Sequence, residues 1–156
     1  MNDSIGLYLN DIGKVSKVGT VAVPKLFEIE SYATVHQLVS TVTGQLEEGE
    51  SAWSAILAAF PGGSMTGAPK IRAMEIIEEL ELGPRGTYSG CLGYLGAEGS
   101  AEFAMTIRSI IFQDGRATIG VGGGITIDSD PAAELEETKL KAKALLAALN
   151  AADPWA

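Results

Sequence analysis

The run Pro61-Gly62-Gly63-Ser64-Met65-Thr66-Gly67-Ala68-Pro69-Lys70-Ile71-Arg72 constrains this chain more than any other, because it sends a glycine-rich loop straight into a helix. Glycines there permit backbone conformations closed to other residues and let a ligand approach the main chain. Pro69 sets φ for a first helical turn, where its missing N–H costs nothing. Ala73, Ile76, Ile77 and Leu80 then repeat at the spacing of one helical face, which predicts an inward stripe with Arg72, Glu75, Glu78 and Glu79 left in water. Leu82-Gly83-Pro84 stops the helix. A helix N-terminus flanked by Ser64, Thr66 and Lys70 is a seat for an anion; an ordinary loop-to-helix junction carries the same pattern.

At 156 residues the chain has the length of one domain, with 46% hydrophobic and 20% charged residues, a globular balance. It contains neither a signal peptide nor an apolar run long enough for a membrane span, so the expectation is a cytoplasmic protein without a membrane partner. A net charge of −9 argues against a nucleic-acid or anionic-lipid surface. Local cations such as Lys70, Arg72, Arg108 and Lys141 are still able to make one pocket attractive to a small anion. The single cysteine, Cys91, has no disulfide partner and no metal-ligand spacing, and is expected to be a buried structural thiol.

Upstream of the glycine run, Ile5-Gly6-Leu7-Tyr8-Leu9 reads as strand or helix, and Asp11 through Pro24 as short extended pieces. Val35, Leu38, Val39 and Val42 fall on one face behind Thr34, which predicts a helix from Thr34 to about Gly44, carrying the only histidine, His36. Ser51 to Phe60 reads as a short helix with Trp53, Ile56, Leu57 and Phe60 in the core. After the central helix the period changes to two. Ser89–Gly96 and Phe103–Phe112 read as strands, and Asp114-Gly115 as a tight turn into Ala117–Val121. Gly122-Gly123-Gly124 then gives either a bend or a row of bare amides open to a carboxylate. Pro131 opens the last helix, about Ala132 to Leu149, in which Leu135, Ala142, Leu145 and Leu149 pack. Glu134, Glu137 and Lys141 line one stripe of it, a pattern that by itself is a solvated face. Residues 151–156 form a tail.

The segment Pro61–Ile77, with Arg85-Gly86-Thr87-Tyr88-Ser89-Gly90, resembles the chorismate-binding enzymes, the family of component I of para-aminobenzoate (aminodeoxychorismate) synthase and of anthranilate synthase. The resemblance runs from about Ile5 to about Leu149, over the C-terminal part of that family's catalytic domain, so residues 1–150 are expected to be a partial domain. Leu9-Asn10-Asp11 stands where the family has Arg-Asn-Asp, and the basic residue is lost. The fold implied is α+β, the C-terminal portion of a four-layer α/β/β/α sandwich with antiparallel strands and outer helices. The resemblance implies that His36 meets the reacting ring, that Ser64 and Lys141 belong with it to the catalytic set, and that Glu134 and Glu137 hold Mg²⁺. It assigns Tyr88, Arg108, Gly122, Gly123, Gly124 and Lys141 to substrate binding. It implies chorismate as ligand and a glutamine amidotransferase as ammonia donor, in the aminodeoxychorismate branch by preference over the anthranilate branch. The family's upstream lysine segment and its further metal glutamate are not in this sequence. The expectation is therefore a piece inactive alone that pairs with the upstream half or with a second copy; a non-catalytic remnant is the competing reading.

Overall fold

The computed structural model describes residues 2–33 and 36–155. Two compact units divide the chain: one is Met1–Leu80 with Gly93–Glu102, the other Glu81–Leu92 with Phe103–Ala156.

In the first unit, helix α1 (Asn2–Gly13) contacts helix α2 (Ala52–Ala59) and the short helix α3 (Gly63–Thr66), which in turn contacts helix α4 (Lys70–Leu80). Ser51 caps α2 with a reciprocal capping box through Ser54, which satisfies donors that the first turn leaves open. Strand β1 (Ala22–Ser31) pairs antiparallel with strand β2 (His36–Thr43), with Ser31 opposite His36 and Ile29 opposite Leu38. The register shifts twice near Phe27, whose φ of 51° marks the irregularity and whose N–H donates to Ser40 Oγ.

The segment expected as a helix is thus a strand. Leu38 and Val42 are equally compatible with either period, and pairing with β1 supplies the backbone partners a helix would have made internally; Thr34 and Val35 lie outside the described residues. Gly44 is not a helix stop. It follows β2 beside the Ser16↔Leu46 bridge, where an added Cβ would lie 2.3 Å from Ser16 Oγ. Ile5–Leu9 is helix, and helix continues to Gly13 where extended pieces were expected.

Strands β3 (Cys91–Leu95) and β4 (Ala101–Met105) pair in a hairpin whose connection is closed by Gly96 N–H on Ser100 O. In the second unit, strands β5 (Ile110–Gln113) and β6 (Arg116–Ile119) pair antiparallel across Asp114-Gly115, both with positive φ, as a primed two-residue turn requires. The single strand expected over Phe103–Phe112 is broken between Met105 and Ile110, where Arg108 adopts φ 50°. Helix α5 (Pro131–Ala148) is capped by Asp130, which accepts from Ala133 N–H, with proline at the first turn as predicted.

Apolar burial is sparse. Val15 and Ala142 are the buried hydrophobic residues among those described. Trp53, Leu57 and Phe60, expected in the core, are exposed, as are Ile76 and Leu80 of the central helix and Leu135 of α5. Cys91 is an exposed free thiol, not a buried one.

Candidate chorismate site

The second unit brings most of the expected site residues onto one glycine segment. Tyr88 follows a turn in which its N–H donates to Arg85 O, and its ring lies against the backbone at Gly120. A Cβ at Gly120 would meet Tyr88 Cγ at 2.3 Å, and one at Gly122 would sit 3.3 Å from the Tyr88 hydroxyl. That approach is open only to glycine. From the other element, α5, Lys141 Nζ donates to Gly122 O at 3.0 Å and pairs with Glu137 Oε1 at 2.6 Å. The lysine thereby holds the Glu137 carboxyl below its ordinary value, first by the hydrogen bond and then by its charge. Glu134, one turn earlier, accepts from Ser129 Oγ at 2.7 Å through Oε1. Its Oε2 is buried, has no hydrogen-bond partner, and would lie 2.7 Å from a Cβ at Gly123.

A buried carboxylate oxygen without a donor is costly unless something cationic meets it. Among the described residues no group of three or more His, Cys, Asp or Glu gathers as a metal cage. Mg²⁺ does not require one, since it commonly takes one or two protein carboxylates and completes its shell with substrate oxygens and water. The unpartnered Glu134 oxygen is a donor that suits a magnesium ion, whereas Glu137 is paired with Lys141.

Beside Tyr88 lies a cavity of about 430 Å³, walled by Thr87, Cys91, Leu92, Thr106, Ile110 and Ile111 among others and reaching Gly120. Arg108 is exposed and has no ion pair or hydrogen bond among the described residues. The other three cations expected to attract an anion are engaged: Lys141 on Glu137, Arg72 on Glu75 and Glu79, and Lys70 on Asp11.

In the first unit, His36 is exposed on a strand with Nδ1 2.9 Å from Ser31 Oγ, not on the helix expected for it. Ser64 is exposed in α3, with Oγ 3.3 Å from the Tyr8 hydroxyl. The lysine of the glycine run turns away from solvent. Lys70 Nζ donates to Asp11 Oδ2 at 2.5 Å and to Ala59 O at 3.1 Å, and Asp11 is 1% exposed. The anion seat expected at this helix start is thus served from within the chain, by a carboxylate of α1.

Sequence reasoning missed three contributors: Asp11, Ser129 and Gly120. Ser129 directly precedes the helix cap, a position usually read as loop, and Asp11 carried no signal except its neighbourhood to a lost arginine.

Residues 4–147 match the model of the chorismate binding enzyme family, and the chain belongs to it. It is 55% identical over 148 residues to the aminodeoxychorismate synthase of Streptomyces pristinaespiralis, covering 95% of this chain and 21% of that protein. To anthranilate synthase component 1 of Streptomyces coelicolor it is 48% identical over 149 residues, 96% of this chain and 29% of that protein. The crystal structure of anthranilate synthase component I from Streptococcus pneumoniae TIGR4 superposes with a TM-score of 0.84 at 42% identity, covering 90% of this chain and 32% of that one. The α+β class expected from the sequence holds. The chain spans between about a fifth and a third of the length of these proteins.

Proposed function

We propose that this chain supplies the C-terminal part of the chorismate site of an aminodeoxychorismate synthase component I, which converts chorismate and ammonia to 4-amino-4-deoxychorismate in the cytoplasm on the way to para-aminobenzoate and folate. The observation that carries the reading is the convergence of Tyr88, Glu134 and Lys141 on Gly120–Gly123, with one buried Glu134 oxygen left for a cation. The higher identity to the Streptomyces pristinaespiralis aminodeoxychorismate synthase than to the Streptomyces coelicolor anthranilate synthase supports the branch.

Chorismate carries two carboxylates and a ring hydroxyl, and displacing that hydroxyl requires charge neutralisation and a fixed ring. Glu134 and Glu137 would hold Mg²⁺, which supplies Lewis-acid and template catalysis when bound. Lys141, tied to Gly122 O, holds positive charge beside the glycine amides, where a carboxylate is stabilised. Arg108, planar and permanently charged, offers a two-pronged grip on the other carboxylate. The Tyr88 hydroxyl, beside Gly122, orients the ring, and the roles the resemblance gives His36 and Ser64 are proton transfer and hydrogen bonding. A glutamine amidotransferase delivers the ammonia, and the remaining part of the catalytic domain, or a second copy, completes the site.

Chorismate consumption with Mg²⁺ and ammonium, assayed for the chain alone and after addition of the remainder of a component I domain, tests the assignment. Turnover to the aminodeoxy product only in the mixture supports it; anthranilate as product moves the chain to the other branch. No turnover and no calorimetric heat with chorismate and Mg²⁺ leaves a remnant. In the same titration, Glu137→Ala weakens Mg²⁺-dependent binding about tenfold or more, as loss of a carboxylate ligand does, and Glu79→Ala, exposed on Arg72, changes it little. Equal effects would remove α5 from the metal site.

A further inference from the structure

A charged residue that none of the roles above uses lies over the Tyr88 ring. Glu81 and Arg85 form a forked pair: Arg85 Nε donates to both Glu81 oxygens at 3.0 Å, and Nη2 to Oε1 at 2.6 Å. Nη1 donates to Ser89 Oγ at 3.2 Å. The guanidinium is thereby fixed on two sides and lies 5.9 Å from the centroid of the Tyr88 ring. Mutual hydrogen bonding holds the Glu81 carboxyl below and the Arg85 guanidinium above their ordinary values. The backbone cooperates, since Ser89 takes φ 69° and its N–H donates to Thr106 O, so the residues flanking Tyr88 are tied on both sides. An arginine anchored by a fork presents a fixed plane to an aromatic ring, whereas a loose one pays side-chain entropy at each encounter. The ring also lies against the bare backbone of Gly120, which presents no side chain of its own to it.

We propose that Arg85, locked by Glu81, is the positioning residue that presses Tyr88 onto Gly120 and sets the hydroxyl beside Gly122. The positioning itself stands on the contacts just given; its consequence for chorismate rests on the function proposed above. Arg85 touches no reacting atom and acts only through Tyr88. A lysine in its place keeps the charge but loses the fork and the flat face, so it restores the arrangement only in part.

Proton NMR of the full chain reads the arrangement without any ligand. A tyrosine face against Gly120 displaces the Gly120 Hα signals upfield, and Tyr88→Leu calibrates the displacement. Arg85→Met is expected to lose most of it and Arg85→Lys to keep part, while cross-strand signals of β5 and β6 stay in place. Retention of the full displacement in Arg85→Met overturns the proposal. Should Arg85→Met not fold, Glu81→Gln, which loosens the fork alone, decides the matter: a clear loss supports the role, and an unchanged displacement overturns it. A chorismate titration on the same signals forms the second arm. About fivefold weaker binding in Arg85→Met, the loss expected from one cation–π contact, supports the consequence for the site. Unchanged affinity despite a displaced ring overturns that consequence. Wild-type signals that ignore chorismate, together with a displaced ring in Arg85→Met, leave the positioning intact and defeat the ligand assignment instead.

Discussion

Glycines in this chain do different work at neighbouring positions, and the difference is measurable. Gly120 and Gly123 face Tyr88 and Glu134 at distances no Cβ tolerates, whereas a Cβ on Gly124 meets open space. Gly120→Ala must push the Tyr88 ring off the backbone and is expected to cost about 1–3 kcal/mol, the usual range for overpacking. Gly124→Ala should stay within about 0.5 kcal/mol of the parent. Urea unfolding of the two variants checks this, and equal midpoints would mean that Tyr88 does not rest where it is described. The sequence showed the three glycines at 122–124 but not which of them meets a side chain, because that depends on where α5 and the Tyr88 turn come to lie. Gly120 read as an ordinary strand residue for the same reason.

At the scale of elements, the pair that ties α1 to the start of α4 contributes to acid stability. Burial pushes the Asp11 carboxyl up, but hydrogen bonds from Lys70 and Lys14 and their charges outweigh it and hold it below its ordinary 3.8. A carboxyl depressed in the folded state contributes stability that is fully present above the unfolded value and is lost as pH falls through the folded one. The unfolding free energy should therefore decline below about pH 4, and Asp11→Asn should flatten part of that decline. Lys70→Met leaves Asp11 buried with only the exposed Lys14 as partner. It is expected to cost about 3 kcal/mol at neutral pH, near the lower end for a broken buried pair. A Lys70→Met variant that unfolds at the parent's urea concentration would show that the pair is solvated. The central helix, α5 and the β5–β6 turn were legible because each carries its own punctuation: Leu82-Gly83-Pro84, Asp130-Pro131 and Asp114-Gly115. The β2 strand was not, since Leu38 and Val42 suit both periods and only the partner strand decides between them.

For the whole chain, the burial pattern is the informative quantity. Hydrophobic residues make up 46% of the sequence, yet Leu26, Ile29, Trp53, Leu57, Ile71, Leu80, Leu92, Tyr94, Phe112, Ile125 and Leu140 all stand exposed. Scattered exposed apolar residues are ordinary; runs of them along strand and helix faces are not. Of these, periodicity marked Trp53, Leu57 and Leu80 as inward-facing, and it was correct about their character but silent about what covers them, because a stripe looks the same whether its partner lies in the same chain or elsewhere. The crystallised relative of which this chain covers 32% has more than twice the chain available for that purpose. The chain in isolation is accordingly expected to bind a hydrophobic dye and to associate as its concentration rises, since unpaired strand edges and apolar faces seek the same cover. Addition of the remaining part of a component I domain should suppress both effects by occupying the faces. Sedimentation velocity over a hundredfold range of concentration, with and without that addition, reads the outcome. A chain that stays monomeric and dye-silent throughout would mean that its exposed apolar faces are not association surfaces.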